Sequence, residues 1–454
     1  MSVDKIELEE KVRPIHYLGS KLRLLDEVKE VIDEVNTKNG IIVDIFSGSG
    51  SVSKYLSKYS KIIANDIQEY SKVILEALLK SNSDSNFDIE NFIQECKNSK
   101  KFNILYKKFT PIINYEEECI SKAISDEREI FALCEFVEYS SYFKFIRMQD
   151  ENLSKGLIDA LKMSTINKEI KEYDFQITNF FGGIYFSYKQ TVYLDSILNS
   201  LKDDKTISEE NKIKIKAAVL STASEIVNTI GKQFAQPLKT FDKYNKPKKS
   251  VINNIKKDRE LKVFDIFKKW FNYYNSINNK YENEVYKKDY RDLLISLKNR
   301  NDIGVIYADP PYTRYHYSRY YHVLETIVLR DNPDITTVKK GDKLEISKGL
   351  YRKDRHQSPF SIKTKAAGAL RELVKGSHKL NANLIISYSP YDSEKKEAPR
   401  LLSIEEILEV AREFYLDVSL INIGNFSHSK LNSTEFITAS AEDAEVLIVC
   451  KGLK

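Results

Sequence analysis

The chain of 454 residues is long enough for about two or three domains, and its formal net charge of +5 suits a nucleic-acid partner without requiring one. The four cysteines, Cys96, Cys119, Cys134 and Cys450, form no C-x-x-C pair, and the histidines lack metal-ligand spacing, so we expect neither a disulfide framework nor a metal site. Because no apolar run could span a bilayer and the polar N-terminus lacks a secretory signal, we expect no membrane partner and a cytoplasmic location.

A short apolar strand leads into a glycine-containing turn in the first part of the chain. The strand is Ile41–Phe46, the turn contains Gly48 and Gly50, and a helical pattern follows. In this arrangement the backbone approaches a ligand closely at the N-terminus of a helix. Ser53 stands where the third glycine of the fingerprint G-x-G-x-x-G should fall, so the spacing is not that of a dinucleotide site.

Two aspartates indicate what kind of ligand this turn could hold. Asp44 lies inside the first strand, where a carboxylate would repel a pyrophosphate but could attract the cationic amino acid end of S-adenosylmethionine. A second strand, Lys61–Asn65, ends at Asp66, and an acid at this position suits a ribose diol. The alternative is that Asp66 is a capping or turn aspartate.

The middle of the chain mixes charged and apolar residues at helical spacing, which predicts a mostly helical region over residues 82–282. A lysine-rich stretch near Lys239–Lys257 could contact phosphates, with Lys248 and Lys249 as candidates, or it could be a solvated linker. Paired glycines among the aromatics of Phe180–Ser187 could bring the backbone close to a nucleic acid or form a turn in the core.

Strands and helices alternate again from Val285 onward. The apolar strands are Val305–Ala308, Leu384–Ser387, Val418–Ile423 and Val446–Cys450. The whole pattern predicts an α/β fold, a doubly wound Rossmann-like sheet interrupted by a long, mostly helical insertion. We expect residues 1–81 and 283–454 to form the sheet domain and residues 82–282 to form the insertion.

The motif Asp309, Pro310, Pro311 and Tyr312 follows the strand Val305–Ala308. Asp309 can accept a hydrogen bond from an exocyclic amino group, and the carbonyl of Pro310 can accept its second hydrogen. Consecutive prolines fix φ of the backbone, and Tyr312 can stack on the ring that carries the amine. These groups suit methyl transfer to adenine N6 if the chain also binds a methyl donor. The alternative is a rigid turn.

In their order along the chain these motifs resemble those of the Dam-type (alpha-group) DNA adenine-N6 methyltransferases. The resemblance is carried by His16–Lys21 before the first helix, the glycine turn after Asp44, Asp66, Val285–Tyr290, and the tetrad from Asp309 to Tyr312. It covers both ends of the chain strongly and the middle patchily. The resemblance implies that residues 1–81 are the donor-binding part of the methyltransferase domain, residues 82–282 the DNA target-recognition region and residues 283–454 the catalytic part.

The resemblance implies S-adenosyl-L-methionine as cofactor and double-stranded DNA as partner. The residues implied to bind the cofactor are Tyr17, Lys21, Asp44, Phe46, Gly48, Gly50, Asp66 and Asp289. The residues implied to be catalytic are Asp309, Pro310, Pro311 and Tyr312. The target adenine must leave the base stack to reach them, so base flipping is implied, with Tyr312 as the stacking partner.

Aromatic and basic residues are dense after the tetrad, in Thr313–His322, and the segment Tyr351–Ser358 is polar and basic. Aromatic faces stack on exposed bases, and arginines hold phosphates. The residues predicted to contact DNA are Arg314, Tyr315, Arg319, Arg352 and Arg355, in addition to Lys248 and Lys249. For Thr313–His322 the alternative is that some of its aromatics belong to the core on the helical side. For Tyr351–Ser358 the alternative is a surface loop without a role.

The sequence thus predicts a site-specific DNA methyltransferase that acts on adenine N6. The alternatives that stay open are an RNA adenine-N6 methyltransferase, an N4-cytosine methyltransferase, whose enzymes generally carry serine in place of Asp309, and a non-catalytic DNA-binding regulator. The sequence also leaves open whether the chain works beside a cognate restriction nuclease, within a larger phage-defence system, or alone.

Overall fold

The computed structural model describes residues 11–148, 153–165, 175–314, 316–341, 343–389, 400–423 and 445–454. Contacts divide the chain into two compact units. The first unit combines the residues up to Ser83 with Ser276–Ser318 and the residues from His356 onward. The second unit combines Asp84–Asn275 with Arg319–Arg355.

The secondary structure of the described residues alternates in the first unit and is mostly helical in the second. The strands are β1 (Ile41–Asp44), β2 (Ile62–Asp66), β3 (Glu284–Lys287), β4 (Ile303–Ala308), β5 (Thr337–Lys340), β6 (Lys343–Ile346), β7 (Asn383–Tyr388), β8 (Tyr415–Ile423) and β9 (Glu445–Leu453). The helices are α1 (Leu25–Val35), α2 (Ser51–Leu56), α3 (Glu69–Leu79), α4 (Ile89–Asn98), α5 (Lys100–Ser125), α6 (Ile130–Tyr139), α7 (Tyr142–Met148), α8 (Lys155–Met163), α9 (Gln176–Phe181), α10 (Tyr188–Asp203), α11 (Glu209–Ile226), α12 (Ile252–Arg259), α13 (Val263–Asn275), α14 (Tyr290–Ser296), α15 (Tyr317–Tyr320), α16 (His322–Leu329), α17 (Ala366–Lys379) and α18 (Ile404–Arg412).

The first unit is built on a seven-stranded sheet with the order β3-β2-β1-β4-β7-β9-β8. Strand β1 pairs in parallel with β2 and β4, β2 with β3, and β4 with β7, whereas β9 runs antiparallel between β7 and β8. Every residue of β4 is buried, as expected for a central parallel strand. The predicted α/β fold with a mostly parallel sheet is therefore confirmed.

Strand β1 determines where a ligand can bind, because the chain continues to β2 on one side of it and to β4 on the other. Asp44 of β1 pairs with Ala64 of β2 and with Tyr307 of β4. The carboxyl ends of these parallel strands therefore meet at one edge of the sheet, beside the point where strand order reverses. Ligands of open α/β sheets bind at this kind of edge. The glycine turn and the tetrad thus follow neighbouring strands.

The second unit contains a buried ion pair that ties its helices together. Arg259 Nη1 donates a hydrogen bond to Glu116 Oε1, and Arg259 Nη2 donates to the carbonyl oxygen of Gly183 at 2.8 Å. Phe180 and Phe181 are each 1% exposed. Of the two interpretations of Phe180–Ser187, the turn in the core is therefore the one that the structure favours.

The two units differ from the predicted division at residues 319–355, which the sequence assigned to the catalytic part. Buried hydrogen bonds join this segment to loops that connect the earlier helices of the second unit. Tyr185 OH lies 3.0 Å from the carbonyl oxygen of Phe234 and 3.2 Å from that of Gly349, and the Phe234 N–H donates to Tyr320 O at 3.0 Å. Helical periodicity does not reveal such pairings, because they join residues far apart in sequence.

Candidate active site

The turn between β1 and α2 is shaped by two glycines with left-handed backbone. Gly48 has φ +53° and Gly50 has φ +79°, a region that favours glycine. A Cβ atom added at Gly48 would lie 2.7 Å from Cζ of Tyr17. The Tyr17 ring therefore packs directly on the turn, and a side chain at Gly48 would displace it.

Asp66, at the end of β2, is tied to this turn through its carboxylate. Its Oδ2 accepts a hydrogen bond from the Gly48 N–H at 3.0 Å, and its Oδ1 accepts one from the Gln68 N–H at 2.9 Å. Each carboxylate oxygen can accept more than one hydrogen bond. Asp66 therefore braces the turn, as the capping alternative expected, and keeps the capacity to accept from ribose hydroxyls.

Asp44 is buried, with 1% of its surface exposed. Its Oδ2 accepts a hydrogen bond from Ser53 Oγ at 2.5 Å, whereas its Oδ1 has no partner among the described residues. Burial raises the pKa of the Asp44 carboxyl to about 7, although the bond from Ser53 acts in the opposite direction. A buried carboxylate oxygen without a partner is unfavourable, so this atom fits a cationic group that enters the site.

Lys21 joins the N-terminal motif to the tetrad. Its Nζ lies 3.1 Å from Asp309 Oδ1, 3.0 Å from Asp309 Oδ2 and 3.2 Å from Glu445 Oε1. Burial lowers the pKa of the Lys21 ammonium, but Asp309 and Glu445 raise it more, so the pKa lies well above its ordinary value. The sequence predicts Lys21 as a cofactor-binding residue, whereas its ammonium contacts the carboxylate of the tetrad.

Glu445 completes this charged cluster, although no sequence motif pointed to it. It is fully buried at the start of β9, and its Oε1 accepts a hydrogen bond from Ser387 Oγ at 2.7 Å. A glutamate directly before the apolar run Val446–Cys450 is a usable signal, because carboxylates are rarely fully buried unless they are paired. Its partner, however, lies at the other end of the sequence.

The ring of Tyr312 has two well-defined neighbours. It meets Tyr388 with 5.3 Å between ring centroids and 60° between ring planes, and the Arg400 guanidinium lies 4.9 Å from its centroid. Arg400 is fixed by hydrogen bonds to the carbonyl oxygen and the Oγ of Ser389, at 2.7 and 3.0 Å. The sequence did not indicate Arg400, because the bridge between Thr313 and Arg400 forms only in the fold.

A carboxylate and aromatic rings line another side of the site. Phe46 packs against Tyr290 and Phe360, with ring centroids 5.5 and 5.6 Å away. Asp289, the N-cap of α14, accepts a hydrogen bond from the Arg291 N–H at 3.0 Å. Burial raises the pKa of the Asp289 carboxyl, but Arg291 lowers it more, so the net pKa is lowered. An ionised acceptor beside flat aromatic surface suits an aminopurine ring.

These groups surround one cavity, whose volume is about 1180 Å³ when the space open to solvent is included. Its lining includes the predicted residues Tyr17, Lys21, Asp44, Phe46, Asp66, Asp289, Asp309, Pro311 and Tyr312. Gly48 and Gly50 shape the turn beside the cavity, and Pro310 lines a smaller adjoining cavity together with Pro311 and Tyr312. The residues predicted for the donor and those predicted for catalysis therefore lie around one space.

The residues predicted to contact DNA are distributed over both units. Arg314 is exposed in the first unit, and Tyr315 lies outside the described residues. Lys248 and Lys249 belong to the second unit, where Lys249 is exposed and pairs with Glu127. Their lysine-rich stretch thus leaves charge at the surface, which is compatible with a phosphate contact and with a solvated linker.

Arg352, in the predicted polar and basic segment Tyr351–Ser358, is buried and paired with carboxylates. Arg352 is 3% exposed, and its Nη1 and Nη2 lie 2.7 and 2.5 Å from the two carboxylate oxygens of Asp331. Asp354 accepts a further hydrogen bond from Nη2 at 3.1 Å. Asp331 and Asp354 thus engage the donors of Arg352, and its contact to DNA stays a prediction.

Within the part of the chain that the structure describes, no group of three or more His, Cys, Asp or Glu side chains could hold a metal ion. All four cysteines are buried and free. No helix among the described residues is long and apolar enough to cross a bilayer.

Comparison with known proteins bears on the function of this site. Residues 17–195 match the model of a family described as D12 class N6 adenine-specific DNA methyltransferase. The chain is similar to the modification methylase LlaI of Lactococcus lactis subsp. lactis, with 22% identity over 441 residues, which cover 96% of this chain and 55% of that protein. It is also similar to the type II methyltransferase M.FokI of Planomicrobium okeanokoites, with 27% identity over 323 residues (71% of this chain, 38% of the relative). It is similar as well to the modification methylase StsI of Streptococcus sanguinis, with 20% identity over 423 residues, which cover 92% of this chain and 49% of that protein.

These similarities confirm the predicted resemblance to DNA adenine-N6 methyltransferases. The match to the family model contains Tyr17, the glycine turn and Asp66, and it ends before the tetrad at Asp309. The chain spans about half the length of the curated relatives it matches, between 38% and 55% for these three.

Proposed function

We propose that this chain, a relative of the D12 class N6 adenine-specific DNA methyltransferases, is itself a site-specific DNA methyltransferase. In this proposal it transfers a methyl group from S-adenosyl-L-methionine to N6 of an adenine in double-stranded DNA. The observation that carries the proposal is the shared cavity, in which Asp44 and Asp66 line the same space as Asp309 and Tyr312. A donor and an acceptor bound to these residues would lie side by side.

The residues of this cavity fit the chemical groups of S-adenosyl-L-methionine. The unpartnered Oδ1 of Asp44 suits the ammonium group of the amino acid end, and the carboxylate of Asp66 suits the ribose hydroxyls. Asp289 and Phe46 suit the amine and the face of the adenine ring. When bound, the cofactor supplies a methyl group on a positively charged sulfur. The absence of a side chain at Gly48 allows the Tyr17 ring, which also lines the cavity, to pack against the turn.

The tetrad can activate the exocyclic amine of the target adenine. N6 is a poor nucleophile because its lone pair is delocalised into the ring. When Asp309 and the Pro310 carbonyl each accept one N6 hydrogen, that lone pair becomes localised on nitrogen. Lys21 fixes the Asp309 carboxylate and keeps a positive charge beside it. Placement and electrostatics then supply the acceleration, and no covalent bond to the protein is needed.

We assign target recognition to the second unit, regarded as a mostly helical insertion into a doubly wound sheet. An adenine that reaches the tetrad has to leave the DNA stack, and the ring of Tyr312 offers it a new stacking partner. Arg314, Tyr315, Lys248 and Lys249 stay candidates for contacts to DNA. Phosphate contacts of this kind would orient the duplex without reading its sequence.

The setting we propose is restriction and modification in the cytoplasm, since the relatives are named modification methylases or a type II methyltransferase. A cognate restriction nuclease is a partner within this proposal.

The experiment that tests the function measures methyl transfer and identifies its product. The full chain is incubated with labelled S-adenosyl-L-methionine and unmethylated duplex DNA, and the DNA is hydrolysed to nucleosides. We expect labelled N6-methyldeoxyadenosine with the wild-type protein and none with Asp309→Ala. Single-molecule sequencing of DNA from a methylation-free host that expresses the chain then gives the recognition sequence.

Each alternative has its own outcome in this experiment. Label in N4-methyldeoxycytidine would overturn the choice of base, and preferential label in a competing RNA would overturn the choice of nucleic acid. Donor binding without transfer to any nucleic acid would leave a non-catalytic regulator as the better account.

A further inference from the structure

The second unit contains a pair of arginines arranged around one tyrosine ring. The guanidinium carbon of Arg319 lies 4.4 Å from the centroid of Tyr351, and that of Arg355 lies 5.3 Å from the same centroid. Arg319 Nη2 also donates a hydrogen bond to Tyr351 OH at 2.9 Å. The same ring thus contacts two like charges, and the charge of Arg319 acts on Arg355.

Both guanidiniums keep buried donors that are not satisfied. Arg319 Nε and Arg355 Nη1 are buried, and neither has a hydrogen-bond partner among the described residues. No carboxylate in this described part of the chain forms an ion pair with Arg319 or Arg355. Arg352 is different, because Asp331 and Asp354 satisfy its donors. A desolvated cation without a partner is unfavourable, and the energy is recovered when an anion binds.

The surroundings disfavour the positive charge of this pair, which makes a bound anion more favourable. Burial lowers the pKa of the Arg355 guanidinium, and the charge of Arg319 lowers it further, while Asp354 acts in the opposite direction. Burial, followed by the charge of Arg355, also lowers the pKa of His322 to about 3, so this imidazole is neutral. The cluster therefore holds unsatisfied positive charge near neutral pH.

A cavity adjoins Arg319 and Tyr351 and has space for a ligand. Its volume is about 820 Å³ when the space open to solvent is included, and Arg319 and Tyr351 line it together with Lys239 and Lys348. The carboxylate in this lining is that of Glu138, whose Oε1 already accepts hydrogen bonds from the Thr240 and Phe241 N–H groups, at 2.7 and 3.2 Å. The cationic side chains of the lining therefore outnumber the carboxylate.

We propose that Arg319 and Arg355 form a phosphate-binding site in the second unit, with Tyr351 as its rigid support. The planar fork of a guanidinium matches the oxygens of a phosphate group, and a pair of such forks on one ring suits a tetrahedral anion. The occupant we infer is a backbone phosphate of the DNA substrate, and this assignment of the source rests on the proposed function.

The test compares charge-matched variants of the full chain. Arg319→Gln and Arg355→Gln each remove one charge at the site, and Arg128→Gln removes one from an exposed side chain of the same unit that pairs with Asp126. Binding of a short DNA duplex is measured at several salt concentrations. We expect each site variant to bind roughly tenfold more weakly and to reduce the salt slope by about one, because one phosphate contact is lost. Arg128→Gln should behave like the wild type.

A second measurement separates a free phosphate from DNA and guards against variants that misfold. Thermal unfolding of the wild-type protein is followed in inorganic phosphate and in chloride at equal ionic strength. We expect phosphate to raise the melting temperature of the wild type and of Arg128→Gln more than that of Arg355→Lys, which keeps the charge, loses the fork and shows only the general stabilisation by phosphate.

The outcomes distinguish this proposal from the function on which it rests. A phosphate effect in the wild type, combined with unchanged DNA binding in Arg319→Gln and Arg355→Gln, would overturn DNA as the occupant and indicate a free phosphate ligand. Equal behaviour of the site variants and Arg128→Gln in both measurements would overturn the site itself. Weakened DNA binding in Arg319→Gln and Arg355→Gln would support the phosphate-binding site even if the wild type transferred no methyl group.

Discussion

The ammonium of Lys21 lies 3.0 and 3.1 Å from the two carboxylate oxygens of Asp309. This pair joins the first motif of the chain to the last, across 288 positions of sequence. The buried ammonium contacts both carboxylate oxygens of Asp309 and therefore restricts the rotation of this side chain. The acceptor that we assign to the target amine is therefore pre-organised before any substrate arrives.

Asp309→Ala should abolish methyl transfer and leave donor binding intact. The variant removes the acceptor of one N6 hydrogen, while Lys21 keeps Glu445 as its counter-ion. We expect turnover to fall by at least about a hundredfold to a thousandfold, as when one well-placed catalytic hydrogen-bonding group is lost. Single-turnover assays measure the transfer, and calorimetry with the donor alone is the control. Wild-type turnover in this variant would refute the role of Asp309.

Lys21→Met should lower both stability and turnover, because it leaves the buried Glu445 without its cation. Removal of one partner of a buried pair destabilises a protein by about 3–5 kcal/mol. Glu445→Gln should be milder, since its amide oxygen can still accept from Ser387. Urea unfolding and turnover at saturating donor measure the two effects.

The double variant Lys21→Met with Glu445→Gln provides the control for this coupling. It has no unpaired buried glutamate, so it should be more stable than Lys21→Met alone. If the double variant is no more stable than the single one, Lys21 and Glu445 do not interact as described.

Donor binding should depend on pH through Asp44, whose pKa of about 7 is raised by burial. A bound ammonium favours the ionised carboxylate, so below this pKa binding has to release a proton. Affinity should rise between about pH 6 and about pH 8 and then level off, with about a tenfold loss per pH unit below the pKa. Calorimetry in buffers of different ionisation enthalpy reports affinity and proton release together. Asp44→Asn should bind the donor weakly and with an affinity that does not change with pH in this range. Asp66→Asn should retain the pH dependence of donor affinity.

The raised pKa of Asp44 also makes the stability of the donor-free protein depend on pH. The folded-state pKa of Asp44 lies above its ordinary value of 3.8. Between these values the folded state binds more protons than the unfolded state, so the free energy of unfolding decreases as pH rises from about 4 to about 7. Asn mimics the neutral carboxyl, so the melting temperature of Asp44→Asn should exceed that of the wild type increasingly over this range. A difference in melting temperature that stays constant with pH would contradict the raised pKa of Asp44.

Gly48→Val should weaken donor binding through the backbone. A Cβ at this position meets the Tyr17 ring at 2.7 Å, and φ of +53° is unfavourable for a branched residue. Asp66→Ala should also weaken donor binding, because it loses the hydrogen bond from the Gly48 N–H and the proposed ribose contact. Calorimetry with the donor measures both, and circular dichroism checks the fold. Wild-type affinity in both variants would remove the donor-site assignment.

The sequence predicted the parts of this molecule that depend on local pattern. The buried run of β4, the glycine turn at Gly48 and the acids at the ends of β1 and β2 are short-range features, and the parallel fold brings them to one edge. The sequence predicts that Gly48 and Asp309 lie at one cleft if the strands that precede them are neighbours, and β1 and β4 do pair.

Features that depend on long-range pairing did not follow from the sequence. Glu445 and Arg400 become neighbours of the tetrad only after β7, β9 and the Thr313 bridge have formed. Arg352 and Arg355 stand three positions apart and look alike in sequence, yet one is satisfied by carboxylates and the other keeps a buried unpaired donor. Composition gives the charge of a segment, and only the fold decides which of its charges are already neutralised.

Tyr312 gives the last prediction, because its ring and its hydroxyl can be separated by substitution. The ring contacts Tyr388 and the Arg400 guanidinium, and a phenylalanine would preserve both contacts. Tyr312→Ala should lose a stacking contribution of about 1–3 kcal/mol with the flipped base, which corresponds to about a tenfold loss of methylation or more. Tyr312→Phe should lose little. A fluorescent 2-aminopurine at the target position should brighten when it leaves the stack, and stacking on the ring should quench part of that gain in the wild type and in Tyr312→Phe. If Phe is as damaging as Ala, the hydroxyl matters rather than the ring face, and the stacking role of Tyr312 is wrong.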